Sequence, residues 1–98
     1  MNIFDNYLLI INELIEKNKL SLKINSLDNL KNVNLEVPPE HLNFDLSTNI
    51  SLVLSKKNNL NPKLLANEIK KLFLKNISHF EIVEVAGPGF INIKLTKE

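Results

Sequence analysis

The 98-residue chain contains only two glycines, and both stand in one tripeptide, Gly87-Pro88-Gly89. Glycine reaches φ > 0 without steric cost and proline locks its own φ, so the tripeptide reads as a turn. Short alternating runs flank it, Glu81 to Val85 before and Phe90 to Leu95 after, which is the pattern of a β-hairpin. A three-residue loop, Gly87 to Gly89, pairs Val85 with Ile91 and Val83 with Ile93, and both strands then bury the same face. A four-residue loop would set Val83 against Asn92 and mix the faces, so the three-residue register is the expected one. Alternation sends Ile91, Ile93 and Leu95 to the core and Phe90, Asn92 and Lys94 to the other face.

That second face carries an aromatic ring, an amide and a cation in a row. These are the parts that handle one unpaired base: a ring to stack on, an amide to read a base edge, an ammonium for a phosphate. A purely structural alternative is that a helix covers Phe90 and Asn92 only finishes a strand edge, since aromatic strand residues commonly serve packing.

Length bounds the rest. Residues 1–98 are expected to form a single domain, with 44% hydrophobic content to supply its core. No run approaches the ~18 apolar residues of a membrane span, and the N-terminus lacks a signal-peptide pattern. With no cysteine, disulfide frameworks, thiol nucleophiles and zinc–thiolate sites are excluded, which fits a cytoplasmic protein. The formal net charge is +1, so charge alone will not hold nucleic acid; an RNA contact should be local and weak.

Along the chain, Ile3, Phe4, Tyr7, Leu8, Ile11, Leu14 and Ile15 recur at helical spacing and predict a helix from Ile3 to about Lys19, capped by Asn2. Leu9 and Ile10 widen its apolar sector, so it should be covered on more than one side. Residues 20–34 allow a short strand at Leu20, Leu22 and Ile24 or a helical turn from Ser26 to Leu30. Leu35-Glu36-Val37 reads as a strand ended by Pro38-Pro39. After a loop, Asp45 or Ser47 should cap a helix running to about Lys57. Asn61-Pro62 opens the next helix, with Leu65, Ile69, Leu72 and Phe73 buried and Lys63, Lys70, Lys71 and Lys75 largely opposite as a solvated face. The fold class is α+β, with about three main helices packed on a small, mainly antiparallel sheet that ends in the hairpin.

The run Val85-Ala86-Gly87-Pro88-Gly89-Phe90-Ile91-Asn92-Ile93-Lys94-Leu95 resembles the motif that closes the N-terminal additional domain of arginyl-tRNA synthetases. A second anchor lies upstream: strand, Pro38-Pro39, loop, then Asp45-Leu46-Ser47-Thr48-Asn49. Asp45 and Asn49 match that family's pattern, while Phe44 stands where the family has glycine and closes conformations open only to glycine. The family also has an Asn-Pro and an amphipathic helix at the position of Asn61-Pro62. The resemblance implies a non-catalytic tRNA-binding domain of an arginine–tRNA ligase that contacts the D-loop at the elbow of the arginine tRNA. It implies Phe90 and Asn92 as tRNA-binding residues, with Gly87, Pro88, Gly89 and Lys94 in support. It also implies the catalytic domain of the same chain as a partner, a monomer, no membrane, no cofactor for this part, and ATP and Mg for the parent class I ligase.

The residues by themselves give no catalytic constellation. His41 and His79 are far apart in sequence and not in metal-ligand spacing. Glu81 and Glu84 should alternate to opposite faces, and Gly-Pro-Gly lacks the Lys-Ser/Thr of a phosphate loop. The chain stops at Glu98, where the connection to a catalytic domain would begin, so it reads as an excised domain. The alternative function is a protein-interaction module that docks another domain through the exposed hairpin face.

Overall fold

A computed structural model describes residues 3–28 and 30–97. Three helices, α1 (Ile3–Lys17), α2 (Ile50–Asn58) and α3 (Pro62–Asn76), accompany four strands, β1 (Leu35–Glu36), β2 (Leu46–Thr48), β3 (Phe80–Ala86) and β4 (Phe90–Leu95). The strands form one antiparallel sheet in the order β1-β2-β4-β3. The α+β expectation and the terminal hairpin both hold.

The hairpin closes as the alternation required. Val85 pairs with Ile91, Val83 with Ile93, and Ala86 with Phe90, leaving Gly87 to Gly89 as the loop. Gly87 takes φ +56° and Gly89 φ +145°, and the Gly89 N–H donates to the Ala86 carbonyl at 3.3 Å. Added side-chain bulk at Gly89 would meet the first turn of α3: a Cβ there would lie 3.1 Å from the Pro62 Cβ and 3.3 Å from the Pro62 carbonyl carbon and oxygen. Pro62 is itself fixed, because its carbonyl accepts the hydroxyl of the fully buried Ser51 at 2.6 Å. The turn, α2 and α3 are thereby joined at one point.

The core lies on one side of the sheet. Two inward rows cross it, Leu35–Thr48–Ile91–Val85 and Leu46–Ile93–Val83. Ile11 and Ile15 of α1, Ile50 and Leu54 of α2, and Ile69 and Phe73 of α3 are buried against them. The Phe80 ring meets Phe73 edge-on and Tyr7 at a tilt, each with centroids 5.4 Å apart, and so links α3 and α1 to β3. A bulge between Phe80 and Ile82 lets Phe80 and Val83 both point inward. Simple alternation does not survive it, and Glu81 and Glu84 are both exposed.

Several local expectations change. α1 ends at Lys17, and its Asn2 cap lies outside the described residues. Leu9 and Ile10 are about half exposed, so that flank of α1 is not covered. Leu22 and Ile24 are buried but Leu20 is 88% exposed, and a turn with Lys23 at φ 61° replaces the strand. The helical turn of this region is a 3-10 turn at Leu30–Asn32. The largest correction concerns Asp45 and Ser47. Neither caps α2; residues 46–48 are instead β2, whose Leu46 and Thr48 are buried against Ile93 and Ile91. The Thr48 hydroxyl accepts the Ile50 N–H at 3.2 Å, and Asn49 is the residue at the cap position. At α3 the expectation holds: the Asn61 side chain accepts the Lys63 and Leu64 N–H groups, both at 3.0 Å, and Pro62 is the first helical residue.

Candidate nucleic-acid interface

The sheet face turned away from the helices carries the hairpin's second set of side chains. One register row crosses all four strands there: Glu36, Ser47, Asn92, Glu84. Phe90 lies one row toward the turn and Lys94 one row away from it, opposite Ile82. Sequence alternation placed Phe90, Asn92 and Lys94 on this face, and the strand order sets Ser47 beside Asn92 with Glu36 beyond it, and Glu84 on the other side.

A wall rises over this row. After β1 the chain leaves the sheet at Pro38-Pro39, makes a 3-10 turn at Glu40–Leu42 and reverses at Asn43, which takes φ 58°. Asn43 and not Phe44 carries the left-handed conformation, a position asparagine tolerates. Phe44, expected to stand where the resembled family has glycine, does not take a left-handed conformation. Three contacts pin the returning segment to β4. The Asp45 N–H donates to the Ile93 carbonyl at 2.9 Å, the Asp45 carboxylate accepts the Leu95 N–H at 2.7 Å, and the Lys94 ammonium reaches the Asn43 side-chain oxygen at 3.4 Å. The role expected of Asp45 as a helix cap is replaced by this clamp.

Wall and sheet enclose an open groove of about 370 Å³, within the size range of small-ligand sites. Val37, Pro38, Pro39 and Leu42 form one side. Phe90, Ala86 and Gly87 form the other, and Ser47 and Asn92 the floor. Phe90 is 40% exposed and stands outside the core cluster, so its ring is available to the groove. Asn92 is only 7% exposed, although an open face was expected for it; the proline wall covers it. Its side chain has no hydrogen-bond partner among the described residues. Among the described residues the one fully buried side-chain atom without a partner is Asn12 Oδ1, so the Asn92 amide keeps a solvent-facing edge on the groove. Lys94 is half-buried and lies at Asn43, beyond the residues that line the groove.

The other candidates lie apart. Among the described residues there is no group of three or more His, Cys, Asp or Glu that could hold a metal ion. His41 and His79 are exposed. Lys63, Lys71 and Lys75 are solvated on α3, with Lys71 paired to Glu68 at 3.2 Å. No helix of the described residues is long and apolar enough to cross a membrane. A second groove of about 340 Å³, between residues 21–23 and the start of α3, has no aromatic lining.

Residues 10–95 match the family described as the arginyl tRNA synthetase N terminal domain. The chain belongs to that family. An arginine–tRNA ligase of Bartonella henselae is 41% identical over 97 residues, covering 99% of this chain and 16% of that protein. One from Pelagibacter ubique is 40% identical over 94 residues, covering 96% of this chain and 16% of that protein. One from Chlorobium limicola is 41% identical over 78 residues, 80% of this chain and 14% of that protein. The chain therefore spans about a sixth of the ligases it matches. Within this arginyl-tRNA synthetase N-terminal domain, the sequence alone did not show Ser47, Glu36 or the proline wall as parts of one site. Glu36 and Asn92 are 56 positions apart, and only the order β1-β2-β4 brings them into one row.

Proposed function

We propose that residues 1–98 form one domain of an arginine–tRNA ligase that holds the D-loop of the arginine tRNA against the groove between the hairpin and the proline wall. The observation that carries this reading is the pairing of a half-exposed Phe90 ring with Asn92, a mostly buried residue whose amide has no partner among the described residues and keeps an edge open on the groove. A ring that can stack and an amide that can read a base edge are what recognition of one splayed-out base requires. Gly87, Pro88 and Gly89 present a turn with little side-chain bulk beside the ring, so that an RNA backbone can come close. Lys94, held at Asn43, places a cation at the far end of the row for a phosphate.

The domain takes no part in the chemistry. ATP, Mg and arginine activation belong to the catalytic domain of the same chain, in a monomeric cytoplasmic enzyme. With a net charge of +1, the domain adds a selective contact and little affinity.

The test is charging by the intact ligase of wild-type tRNA and of tRNA lacking the contacted D-loop base. Phe90→Ala should lose about 1–3 kcal/mol of tRNA interaction on the wild-type tRNA, and much less on the tRNA without the base. Equal losses on both would overturn the reading. The face also exposes Val37 and Ile82, which supports a second reading as a docking surface for another protein domain. A stable complex that forms without tRNA and is lost in Phe90→Ala would favour it.

A further inference from the structure

Among the described residues Glu36 is the only ionisable one lining the groove; Glu84, on the other side of Asn92 in the same row, does not line it. In a groove proposed to contact a polyanion, that charge is negative. No hydrogen bond or ion pair engages its carboxylate among the described residues, and the same holds for the side chains of Ser47 and Asn92. The three stand side by side on adjacent strands, Glu36 beside Ser47 and Ser47 beside Asn92. With strands about 4.8 Å apart, the row is about 10 Å from end to end. It offers, in a line, a carboxylate that only accepts, a hydroxyl that donates or accepts, and an amide that does both.

We infer that Glu36 is a specificity-determining residue of this groove, which takes a nucleobase edge-first with an exocyclic amino group against the Glu36 carboxylate. The inference rests on the base-reading role proposed above for Phe90 and Asn92. A phosphate cannot occupy the groove, because an unpaired carboxylate at its rim repels it. A neutral base can, with its face on Phe90 and its polar edge along the row. An amino group supplies the donor that Glu36 needs, as in carboxylate pairing with the cytosine amine. A uracil edge ends in carbonyl oxygens, and one of them would face the carboxylate with no proton between them. Asn92 adapts to either edge by turning its amide; Glu36 does not, so Glu36 sets the preference.

The experiment uses the intact ligase and five transcripts of its tRNA with A, C, G, U or an abasic residue at the D-loop position whose removal most weakens charging. Wild-type kcat/KM should be about tenfold lower on the U transcript than on the best amino-bearing one, the size of one base-edge contact. Glu36→Gln, whose amide can donate to a carbonyl, should raise the U transcript and narrow the ratio to threefold or less, with the melting temperature unchanged. An unchanged ratio in Glu36→Gln, or a wild-type preference for U, overturns the role of Glu36 while leaving base reading by Phe90 and Asn92 intact. If no base removal weakens charging by the wild type, the base-reading role itself falls, and this inference with it.

Discussion

Three asparagines of this domain divide between two opposite circumstances. Asn58, at the end of α2, uses its whole side chain: its oxygen accepts the Asn25 and Ser26 N–H groups at 2.7 and 2.8 Å, and its nitrogen donates to the Ser26 and Leu54 carbonyls at 3.0 and 2.9 Å. Asn49, before the other end of α2, accepts the Asn34 N–H at 2.9 Å and donates to the Asn32 carbonyl at 3.1 Å. Together they fasten a connection with little regular structure, residues 18–28 and 30–34, to the helix beside it. Asn92 is more buried than Asn49 or Asn58 and bonds to nothing described. The difference separates amides that hold the fold from one left open on a groove. Stability accounts for Asn49 and Asn58, and it gives no reason for Asn92.

The comparison breaks most readily at the turn that joins its two sides. Gly89→Ala places a side chain at φ +145° against the Pro62 backbone, which the buried Ser51 hydroxyl holds in place. Backbone strain of this kind costs about 1–3 kcal/mol, and with the added crowding the loss should reach about 3 kcal/mol or more. Thermal unfolding checks it; a loss below about 1 kcal/mol would show that the turn is not pinned to α3. Asn58→Ala comes next. It leaves two N–H groups and two carbonyls without their partner and should cost about 2–3 kcal/mol in urea unfolding. Charging per folded molecule should not change, since Asn58 does not line the groove.

What could be read from the sequence follows the same division. The hairpin register was legible because Gly-Pro-Gly limits the loop and the valine–isoleucine alternation rejects any other pairing. The Asn61-Pro62 start of α3 was legible because cap and first turn are local. β2 was not, because three residues are too few to show a period, and Asp45-Leu46-Ser47 resembles a helix start until Ile91 and Ile93 are known to lie beside it. Residues 20–34 were not, because their order comes from Asn49 and Asn58, which follow them in the chain. Of the site, strand alternation gave the ring and the amide. The burial of Asn92 and the acid at the rim needed the fold of the proline wall.

Phe90→Ala sharpens the functional side. The ring is 40% exposed and outside the core, so unfolding should shift by only about 1 kcal/mol, below the cost of burying a whole side chain. The loss in tRNA interaction should be the larger, at about 1–3 kcal/mol. A mutant that loses more stability than tRNA interaction would make Phe90 a packing residue.

Asn92→Ala has the smallest effect, and it is the most telling. Truncating a buried polar side chain usually destabilises, because a partner is left behind without a hydrogen bond. Asn92 has no such partner among the described residues and its amide keeps a solvent-facing edge, so the mutation strands no buried group and loses only the contacts of a small side chain. Stability should stay within about 1 kcal/mol of the wild type. The tRNA interaction should fall by about 0.5–1.5 kcal/mol, the net worth of a neutral hydrogen bond exchanged with water. Stability held while recognition is lost is the signature of a group kept for a ligand, and Asn58→Ala should show the reverse. Urea unfolding beside charging kinetics on both mutants reads the two quantities together. If Asn92→Ala is destabilised as much as Asn58→Ala, the amide has a structural partner and the contrast between the two asparagines disappears.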